Sequence, residues 1–492
     1  MSIIQINNVT FAYPNGSENV FTDLNLQLDS SWKLGLVGRN GRGKTTFLKL
    51  LLGKLDYRGN ITSSLKFEYF PYPVVDEDQF VGELLQEIAP TAQEWEVVRE
   101  LSYLGMEADS LWLPFSTLSK GQQTKVLLAG LFLKPDCFLL IDEPTNHLDV
   151  AGRKLVANYL KKKTGFILVS HDRNFLDACI DHVLSLNRVD ISLTKGDFST
   201  WLQNFENDQA NKLAQNDRLK KEVKRLKTAA RQSASWSDKV ERSKNGTTNS
   251  GSKLDKGYVG HKSAKMMQRS KSLQKRQAKE LAAKEGLLNN LETISELKLS
   301  PLTFHEQRLA WAENLQITYP NGWKSKAVSF ELKQGQRLAL TGDNGSGKSS
   351  LLKLFLGQAI PYQGNLTVKP QLKISYLPQD ASFLKGPIKT YAEQLGIDET
   401  LLFTLLRKLD FERDLFSKDM TNFSEGQKKK VLIAASLCQS AHLYIWDEPL
   451  NYIDIYARMQ LEALLAKFKP TMILVEHDEY FLQGLATDYL TL

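Results

Sequence analysis

Two stretches of the sequence have the glycine and lysine spacing of a phosphate-binding loop. Residues 38–45 read Gly-Arg-Asn-Gly-Arg-Gly-Lys-Thr and residues 342–349 read Gly-Asp-Asn-Gly-Ser-Gly-Lys-Ser, and both fit G-x-x-x-x-G-K-[ST]. Each follows a strand pattern and opens a helical pattern, so backbone N–H groups and a positive helix end would face phosphate. A structural glycine-rich turn would not be expected twice in this context. The loops therefore predict two nucleoside triphosphate sites.

Residue types within the loops indicate separate roles in binding ATP and Mg²⁺. Lys44 and Lys348 should contact the β- and γ-phosphates, whereas the hydroxyls of Thr45 and Ser349 should bind Mg²⁺. The predicted nucleotide-binding residues of the first loop are Gly38, Asn40, Gly41, Gly43, Lys44, Thr45 and Thr46. Those of the second loop are Gly342, Asn344, Gly345, Gly347, Lys348, Ser349 and Ser350.

Two buried-strand patterns end in adjacent carboxylates. Asp142-Glu143-Pro and Asp447-Glu448-Pro close the apolar runs at 137–141 and 443–446. We expect each Asp to bind Mg²⁺ through water and each Glu to position or deprotonate the attacking water. One such pair could be a solvent-facing strand end, but two identical copies argue for catalysis.

Four short motifs recur along the chain at a nearly constant offset. The offset is 304 residues between Gly38 and Gly342, 305 between Gly121 and Gly426 and between Asp142 and Asp447, and 306 between His171 and His477. This indicates two homologous α/β domains with largely parallel sheets, at residues 1–204 and 301–492. From the first loop glycine to Gly121 or Gly426 the spacing is 83 or 84 residues, so neither half carries an extra insertion there.

Charge is unevenly distributed around a formal net value of +7. Residues 206–300 contain 22 Lys and Arg against 11 Asp and Glu, which leaves a net −4 for the remainder. A basic segment on a mildly acidic body indicates a polyanionic partner for that segment. No apolar run reaches the ~20 residues of a membrane helix, no signal peptide is evident, and three scattered cysteines favour a reducing cytoplasm.

The basic segment predicts a helical hairpin linker at residues 205–300. Helices are expected at about 208–242 and 262–297, each reaching roughly 50 Å at 1.5 Å per residue, around a polar tip loop at about 243–262. A solvated coiled-coil spacer is the alternative, because charged faces of long helices are usually exposed to solvent without binding a partner. The excess of Lys and Arg favours an RNA-binding surface. The candidate rRNA-contacting residues at the tip are Lys244, Lys253, Leu254, Lys256, Tyr258, His261 and Lys262.

Two further motifs resemble a known family. Residues 118–123 (Leu-Ser-Lys-Gly-Gln-Gln) and 423–428 (Phe-Ser-Glu-Gly-Gln-Lys) resemble the LSGGQ signature of ABC ATPases, with departures at Lys120, Glu425 and Phe423. The resemblance implies that Asp149 and Asp454 are D-loop residues. It also implies roles for four more residues, namely switch histidines His171 and His477 and the adenine-stacking tyrosines Tyr13 and Tyr319.

In this family the two halves close head-to-tail over two ATP molecules. Carried over to this sequence, the first site combines the loop around Lys44 with Ser424, Gly426 and Gln427. The second combines the loop around Lys348 with Ser119, Gly121 and Gln122. A monomer with intramolecular pairing is thereby implied, in which ATP closes the clamp and hydrolysis opens it.

One position separates the two sites. The run Tyr376-Leu-Pro-Gln379 matches the family's glutamine loop, which helps to hold Mg²⁺ and water, but its counterpart in the first half ends in Tyr72. We therefore expect slower hydrolysis at the site containing Lys44.

Twin ABC halves joined by a basic helical linker, with no membrane domain, resemble the ABC-F subfamily. Its members bind the E site of the 70S ribosome beside the P-site tRNA and extend the linker toward 23S rRNA at the peptidyl-transferase centre. The short first half resembles the antibiotic-resistance branch, and the runs at 32–44, 166–173 and 444–452 resemble its Lsa type. This implies displacement of lincosamides, pleuromutilins and streptogramin A.

Two alternatives stay open at this point. An ABC-F translation factor acting on stalled ribosomes would matter without drug, and the ATPase subunit of a transporter would fractionate with membranes but leaves the basic linker unexplained. DNA is not an expected partner, because DNA-repair ABC ATPases have far longer coiled coils or zinc-binding cysteines.

Overall fold

Internal contacts divide the chain into two units. The computed structural model describes residues 2–14, 19–146, 148–186, 191–243, 268, 275–276, 297–319, 322–343 and 345–492. The first unit comprises Met1–Trp201 and Ile294–Leu492, and the second comprises Leu202–Thr293. Both halves of the sequence repeat therefore lie in the first unit.

The first half alternates strands and helices. Its strands are β1 (Ile3–Phe11), β2 (Phe21–Asp29), β3 (Lys33–Gly38), β4 (Arg58–Thr62), β5 (Lys66–Phe70), β6 (Cys137–Asp142), β7 (Phe166–Val169), β8 (His182–Leu186) and β9 (Ile191–Lys195). Its helices are α1 (Lys44–Leu51), α2 (Val81–Ile88), α3 (Glu94–Tyr103), α4 (Lys120–Phe132), α5 (Val150–Lys161) and α6 (Arg173–Cys179). A long helix, α7 (Phe198–Ser243), follows.

The second half repeats this order. Its strands are β10 (Arg308–Ile317), β11 (Val328–Lys333), β12 (Arg337–Thr341), β13 (Tyr362–Val368), β14 (Ile374–Leu377), β15 (Leu443–Asp447), β16 (Met472–Val475) and β17 (Asp488–Thr491). Its helices are α8 (Lys348–Phe355), α9 (Ile388–Leu395), α10 (Glu399–Lys408), α11 (Glu425–Cys438), α12 (Ile455–Phe468) and α13 (Glu479–Leu485).

A mainly parallel sheet forms the core of each half. The strand order is β5-β6-β7-β3-β8-β9 in the first half, with β9 antiparallel, and β14-β15-β16-β12-β17 in the second. Runs such as Phe166–Val169 and Met472–Val475 are buried at every position, as expected for strands covered on both faces. A three-stranded antiparallel sheet accompanies each core. The predicted α/β fold with two tandem domains is confirmed.

The first helix of the predicted linker begins earlier than the sequence predicted. Helix α7 starts at Phe198, not near Asp208, because Asp197 caps its first turn by accepting the backbone N–H of Thr200 at 2.9 Å. Phe198 and Trp201 are buried, which anchors this first turn in the domain core. The heptad pattern that predicted the helix lies further along the chain, so it could not predict that the helix starts at these buried residues.

The rest of the linker lies mostly outside the described residues. Of the predicted second helix, Gln268, Lys275 and Arg276 are described as helical. All seven candidate tip residues, Lys244, Lys253, Leu254, Lys256, Tyr258, His261 and Lys262, lie outside the described ranges.

Candidate active sites

Each phosphate loop connects the central strand of its sheet to a helix. Gly43 and Gly347, the residues before α1 and α8, adopt left-handed backbone with φ of 87° and 100°. A Cβ at Gly43 would approach Val20 Cγ1 to 2.7 Å, and one at Gly347 would approach Trp323 Cη2 to 2.9 Å. Both the conformation and the close packing therefore require glycine at these positions.

The loop lysines lie beneath the curled backbone. Lys44 Nζ donates to the carbonyls of Gly38 and Arg39 at 2.7 and 3.2 Å and to Asn40 Oδ1 at 3.2 Å. Lys348 Nζ donates to the carbonyls of Gly342 and Asp343 at 2.8 and 2.7 Å. Burial lowers the pKa of both ammonium groups, with nearby carboxylates opposing the shift. These contacts preorganise each cation toward the concave side of its loop.

Two cavities lie where the halves face each other. The first has a volume of about 450 Å³ and the second about 1250 Å³. The first is lined by Tyr13, Asn40, Gly41, Gly43, Lys44, Thr45, Thr46, Asp142, Glu143 and His171 together with Ser424, Gly426 and Gln427. The second is lined by Tyr319, Gly345, Gly347, Lys348, Ser349, Ser350, Gln379, Glu448 and His477 together with Ser119, Gly121 and Gln122.

The structure thus brings each loop together with the signature segment of the opposite half. Gly38 and Gly342 lie at the strand ends and Asp447 lies buried below the cavity, so these three do not line the cavities. Asn344 lies outside the described residues. The nucleotide roles of the whole set remain predictions.

The signature glutamines have a structural use as well. Ser119 Oγ accepts the N–H of Gln122 at 3.2 Å, and the Gln122 side chain accepts the N–H of Ser119 at 2.9 Å. Ser424 and Gln427 form the same capping box at the start of α11, with both distances between 2.9 and 3.3 Å. Cap formation fixes these serines and leaves less freedom for the glutamine side chains to contact nucleotide.

The predicted metal ligands are close together in both halves. Thr45 Oγ1 lies 3.5 Å from Asp142 Oδ2 in the first half. In the second, the Ser349 hydroxyl acts to lower the pKa of Asp447, whose buried Oδ1 has no hydrogen-bond partner among the described residues. Burial raises the pKa of both aspartates. A hydroxyl beside a carboxylate is a set of oxygen ligands that suits Mg²⁺.

Both predicted catalytic glutamates hold an unusual backbone conformation. Glu143 and Glu448 have φ of 51° and 46°, and each N–H donates at 2.9 Å to the carbonyl of Val169 or Val475 on the next strand. Left-handed backbone at a residue other than glycine is strained and concentrates at functional sites. The strand pairing thus fixes both carboxylates at the sheet edge.

The surroundings of the two glutamates differ. In the second site, Glu448 Oε2 accepts the Gln379 amide at 2.8 Å and the Asn451 amide, while His477 Nε2 lies 3.7 Å from Oε1. Burial alone would raise the pKa of Glu448, but hydrogen bonds and the charge of His477 bring it below its ordinary value. This carboxylate is held ionised and oriented.

In the first site no amide donates to Glu143 among the described residues, although Asn146 stands at the position of Asn451. His171 Nε2 lies 3.3 Å from Glu143 Oε1, yet the pair is not aligned as a hydrogen bond and Oε1 has no partner in the described chain. Burial and the charge of Asp142 raise the pKa of Glu143. Burial and the cations Lys44 and Arg458 hold the pKa of His171 well below its ordinary value, so the imidazole is neutral.

The first half also departs from the glutamine loop in three dimensions. Tyr72, which replaces the glutamine, donates to Glu87 at 3.2 Å and does not line the cavity. Instead Tyr69 donates to Asp142 Oδ2 at 2.9 Å, the same oxygen that Thr45 approaches. Sequence inspection missed Tyr69, although its position at the end of β5 beside β6 would have indicated the contact.

A buried lysine performs the corresponding connection in the second half. Lys429 Nζ donates to the carbonyls of Pro378, Gln379 and Asp447 at 3.0, 3.2 and 3.3 Å. Burial lowers the pKa of this ammonium to about 8. It ties the glutamine loop to the end of the acidic strand through backbone alone and leaves the Asp447 carboxylate available. The first half has Thr124 at this position, so comparison of the two repeats does not indicate the role.

Cross-half contacts are dense at the first site. Asn40 donates through its N–H to Asp454 Oδ2 at 3.3 Å and through its amide to the carbonyl of Tyr452 at 3.0 Å. Arg39 and Arg42 approach Asp410 Oδ2 at 3.6 and 3.4 Å. The arginines occupy variable positions of the loop motif, so only the fold identifies their partner.

The predicted adenine-stacking tyrosines share one contact. Tyr13 and Tyr319 form hydroxyl hydrogen bonds of 2.8 and 2.7 Å to Thr46 and Ser350, the residues that follow the metal-binding hydroxyls. Their rings stay 43% and 37% exposed, as a stacking platform requires. Both tyrosines are therefore positioned against the first turn of the loop helix.

Comparison with known proteins agrees with this architecture. The sequence model described as "ABC transporter" matches residues 21–146 and 325–451. The chain is 30% identical to "Ribosome protection protein VmlR" of Bacillus subtilis over 98% of this chain and 85% of that protein. It is 27% identical to "ATP-binding protein Uup" of Buchnera aphidicola over 99% and 80%, respectively.

Solved structures match the fold at lower identity. The archaeal ribosome recycling factor aABCE1, solved with the stalk protein aP1, superposes with a TM-score of 0.64 at 19% identity over 98% of this chain and 87% of that chain. Among the described residues, no helix is both long enough and apolar enough to cross a bilayer. The chain belongs to the ABC family of ATP-binding and ATP-hydrolysing proteins and, within it, to the ABC-F group.

Proposed function

We propose that this ATPase binds the 70S ribosome and displaces antibiotics from the peptidyl-transferase centre. The observation that carries the proposal is the pairing of two composite ATP sites with an intervening segment of 22 basic and 11 acidic residues. Full-length similarity to a protein named as a ribosome protection protein supports the same assignment.

ATP chemistry in the proposal uses groups of this chain. Lys44 and Lys348 bind phosphate, and Glu143 and Glu448 orient and deprotonate water, with His171 and His477 beside them. Mg²⁺ held by Thr45 with Asp142 and by Ser349 with Asp447 would neutralise developing charge on the phosphates. Because each cavity is lined by both halves, bound ATP favours the closed arrangement and hydrolysis favours opening.

The linker supplies the ribosomal contact in this proposal. Its Lys and Arg excess displaces counterions from rRNA phosphates, which gives salt-sensitive affinity. The tip residues would then contact 23S rRNA beside the P-site tRNA, with the protein in the E site. An Lsa-type spectrum of lincosamides, pleuromutilins and streptogramin A follows from the sequence resemblance.

Cosedimentation of a hydrolysis-deficient protein with ribosomes tests the proposal. The double variant Glu143→Gln/Glu448→Gln should pellet with 70S ribosomes in ATP and remain in the supernatant in ADP. A folded, ATP-bound double variant that fails to pellet would refute ribosome binding.

A tip deletion separates protection from ATP hydrolysis. Removing residues 245–261 should abolish rescue of translation in the presence of lincomycin and leave basal ATPase largely intact. Retained rescue would exclude the tip as the displacing element.

A further inference from the structure

A short antiparallel bridge occurs at the same place in both halves, between the glutamine-loop segment and the signature segment. It pairs Phe80 with Pro114 in the first half and Pro387 with Asp419 in the second. Val81 N–H donates to the carbonyl of Leu113 at 3.0 Å, and Met420 N–H donates to the carbonyl of Gly386 at 2.9 Å. The bridge is therefore a shared scaffold on which the halves place different side chains.

The first half presents large apolar side chains on this scaffold. Val75, Phe80, Trp112 and Leu113 are 96%, 46%, 74% and 45% exposed. The backbone bonds of the bridge bring the segment holding Phe80 beside the segment holding Trp112 and Leu113, so the exposed apolar side chains are concentrated on two adjacent segments. Clustered exposed apolar groups on an otherwise folded domain indicate a binding surface.

The second half shows that folding does not require them. Ser417 and Lys418, both exposed, occupy the places of Trp112 and Leu113 two residues and one residue before the bridge. The second half does expose Phe383, but Lys385 follows within the same segment. A backbone bridge at the matching place thus forms with polar residues before it.

Charge identifies the kind of partner. Residues 73–118 hold ten Asp and Glu against one Arg, whereas residues 380–423 hold eight acidic against six basic residues. Asp76, Glu77 and Asp109 are exposed, and each lies within three residues of one of these apolar side chains in the sequence. We call these three acids with Val75, Phe80, Trp112 and Leu113 the acidic aromatic face. Its charge repels phosphate and attracts cations.

We propose that the acidic aromatic face binds a lysine- or arginine-rich segment of a ribosomal protein, an inference that rests on the proposed function. Ribosomal proteins carry such segments because they neutralise rRNA phosphates. Carboxylates pair with the cationic heads, while Trp112 and Phe80 accept aliphatic stems and cation–π contacts. Nucleic acid is disfavoured at this face, in contrast to the basic linker.

Site-specific photocrosslinking identifies the partner class. The full chain carrying Glu143→Gln/Glu448→Gln and Trp112→p-benzoylphenylalanine is bound to 70S ribosomes in ATP and irradiated. A crosslink to a Lys/Arg-rich peptide of a ribosomal protein is expected, and the matched label at Ser417 should not give that crosslink. Crosslinks from position 112 to rRNA only, or none in the pelleted complex, would overturn the inference.

An exchange between the halves measures the contribution of the face. Trp112→Ser/Leu113→Lys installs the residues of the second half, and the ribosome complex should weaken by about tenfold. ATPase without ribosomes should be unchanged, since neither residue lines an ATP site. Unaltered affinity would overturn the inference and leave the proposed function standing. If the parent double variant itself fails to pellet, the proposed function and this inference both fall.

Discussion

The first and second ATP sites carry the same motifs yet differ in how the halves meet around them. The first encloses about 450 Å³ and is crossed by bonds from Asn40 to Tyr452 and Asp454, with Arg39 and Arg42 near Asp410. The second encloses about 1250 Å³. Duplication of the motifs has therefore not given duplicated sites.

The difference in closure originates in residues that the loop motif leaves variable. The second loop has Asp343 and Ser346 where the first has arginines, and Gly105 stands in the first half where the second has Asp410. The ion pairs of Arg39 and Arg42 with Asp410 therefore have no counterpart at the matching positions of the second site. Other ion pairs also join the halves, from Lys154 to Glu479 and from Arg173 to Glu462. The contact made by the loop arginines is specific to the first site.

The hydrogen bonds that orient the predicted catalytic glutamate favour the second site instead of the first. Glu448 accepts amide donors from Gln379 and Asn451 and has a lowered pKa, whereas Glu143 has a raised pKa and accepts no amide donor among the described residues. A base that is ionised and oriented is the better catalyst. We infer a division of labour in which the first site binds ATP persistently and the second turns it over.

Removing each glutamate in turn is the strongest test of that division. Glu448→Gln should lower steady-state ATPase by about 100-fold or more, in the range of a lost general base. Glu143→Gln should retain most of the activity, because the slower site contributes little turnover. The measurement is phosphate release per enzyme at saturating ATP. Equal losses in the two single variants would break the proposed asymmetry.

Loss of the buried lysine should selectively impair the second site. Lys429→Met keeps the side-chain volume but removes the three hydrogen bonds that the ammonium group donates to the carbonyls of Pro378, Gln379 and Asp447. Gln379 is then no longer held beside Glu448. We expect kcat to fall about tenfold, the scale of one charged hydrogen bond. Thr124→Val at the matched position of the first half is the control and should have little effect. An unchanged kcat in a folded Lys429→Met protein would contradict the positioning role.

Cutting the cross-half contact should loosen the first site by a smaller factor. Asp410→Gly installs the residue of the first half and removes the carboxylate that Arg39 and Arg42 approach. Since Asp410 is one-third exposed, solvent screens the pair, and we expect release of a fluorescent ATP analogue from the Glu143→Gln/Glu448→Gln protein to accelerate only about threefold.

The control for that measurement is an exposed acid on the same segment. Asp414→Gly changes the charge equally but lies away from the loop arginines, so the release rate should stay at the parent value. Equal acceleration by both variants would show a general charge effect instead of a specific contact.

Sequence reasoning predicted the local chemistry and missed the contacts between distant segments. The loops, the acidic strand ends and the two-domain fold depend on short patterns and were predictable, because each pattern specifies its own backbone. Asp410 meets Arg42 across 368 residues of chain, and no local pattern encodes such a contact. Which half supplies each signature came from family resemblance alone.

Two other misses have simple physical reasons. Helix α7 was expected near Asp208 because its heptad pattern is polar and periodic, whereas its first turn is fixed by burial of Phe198 and Trp201. Comparison of the glutamine loops identified Tyr72 as the changed residue, but strand alternation points Tyr69 at Asp142 instead. The direction of a side chain on a strand follows from the alternation of residues along it. That alternation places the Tyr69 side chain against Asp142, and sequence comparison of the glutamine loops did not consider it.

The smallest expected effect concerns metal affinity at the first site. Tyr69 donates to Asp142 Oδ2 at 2.9 Å, whereas in the second half Asp447 Oδ1 has no partner within the described residues. Tyr69→Phe should free that oxygen and lower the Mg²⁺ concentration for half-maximal ATP binding at the first site by about threefold, because water replaces the tyrosine hydroxyl and leaves only a small net difference.

Tyr376→Phe is the matched control for the metal measurement, because Tyr376 occupies the same place on β14. It should leave the Mg²⁺ requirement of the second site unchanged. A weaker Mg²⁺ response after Tyr69→Phe would mean that the tyrosine orients Asp142 toward the metal instead of competing for it. In that case the unequal turnover of the sites would depend on Glu143 and its missing amide donors alone.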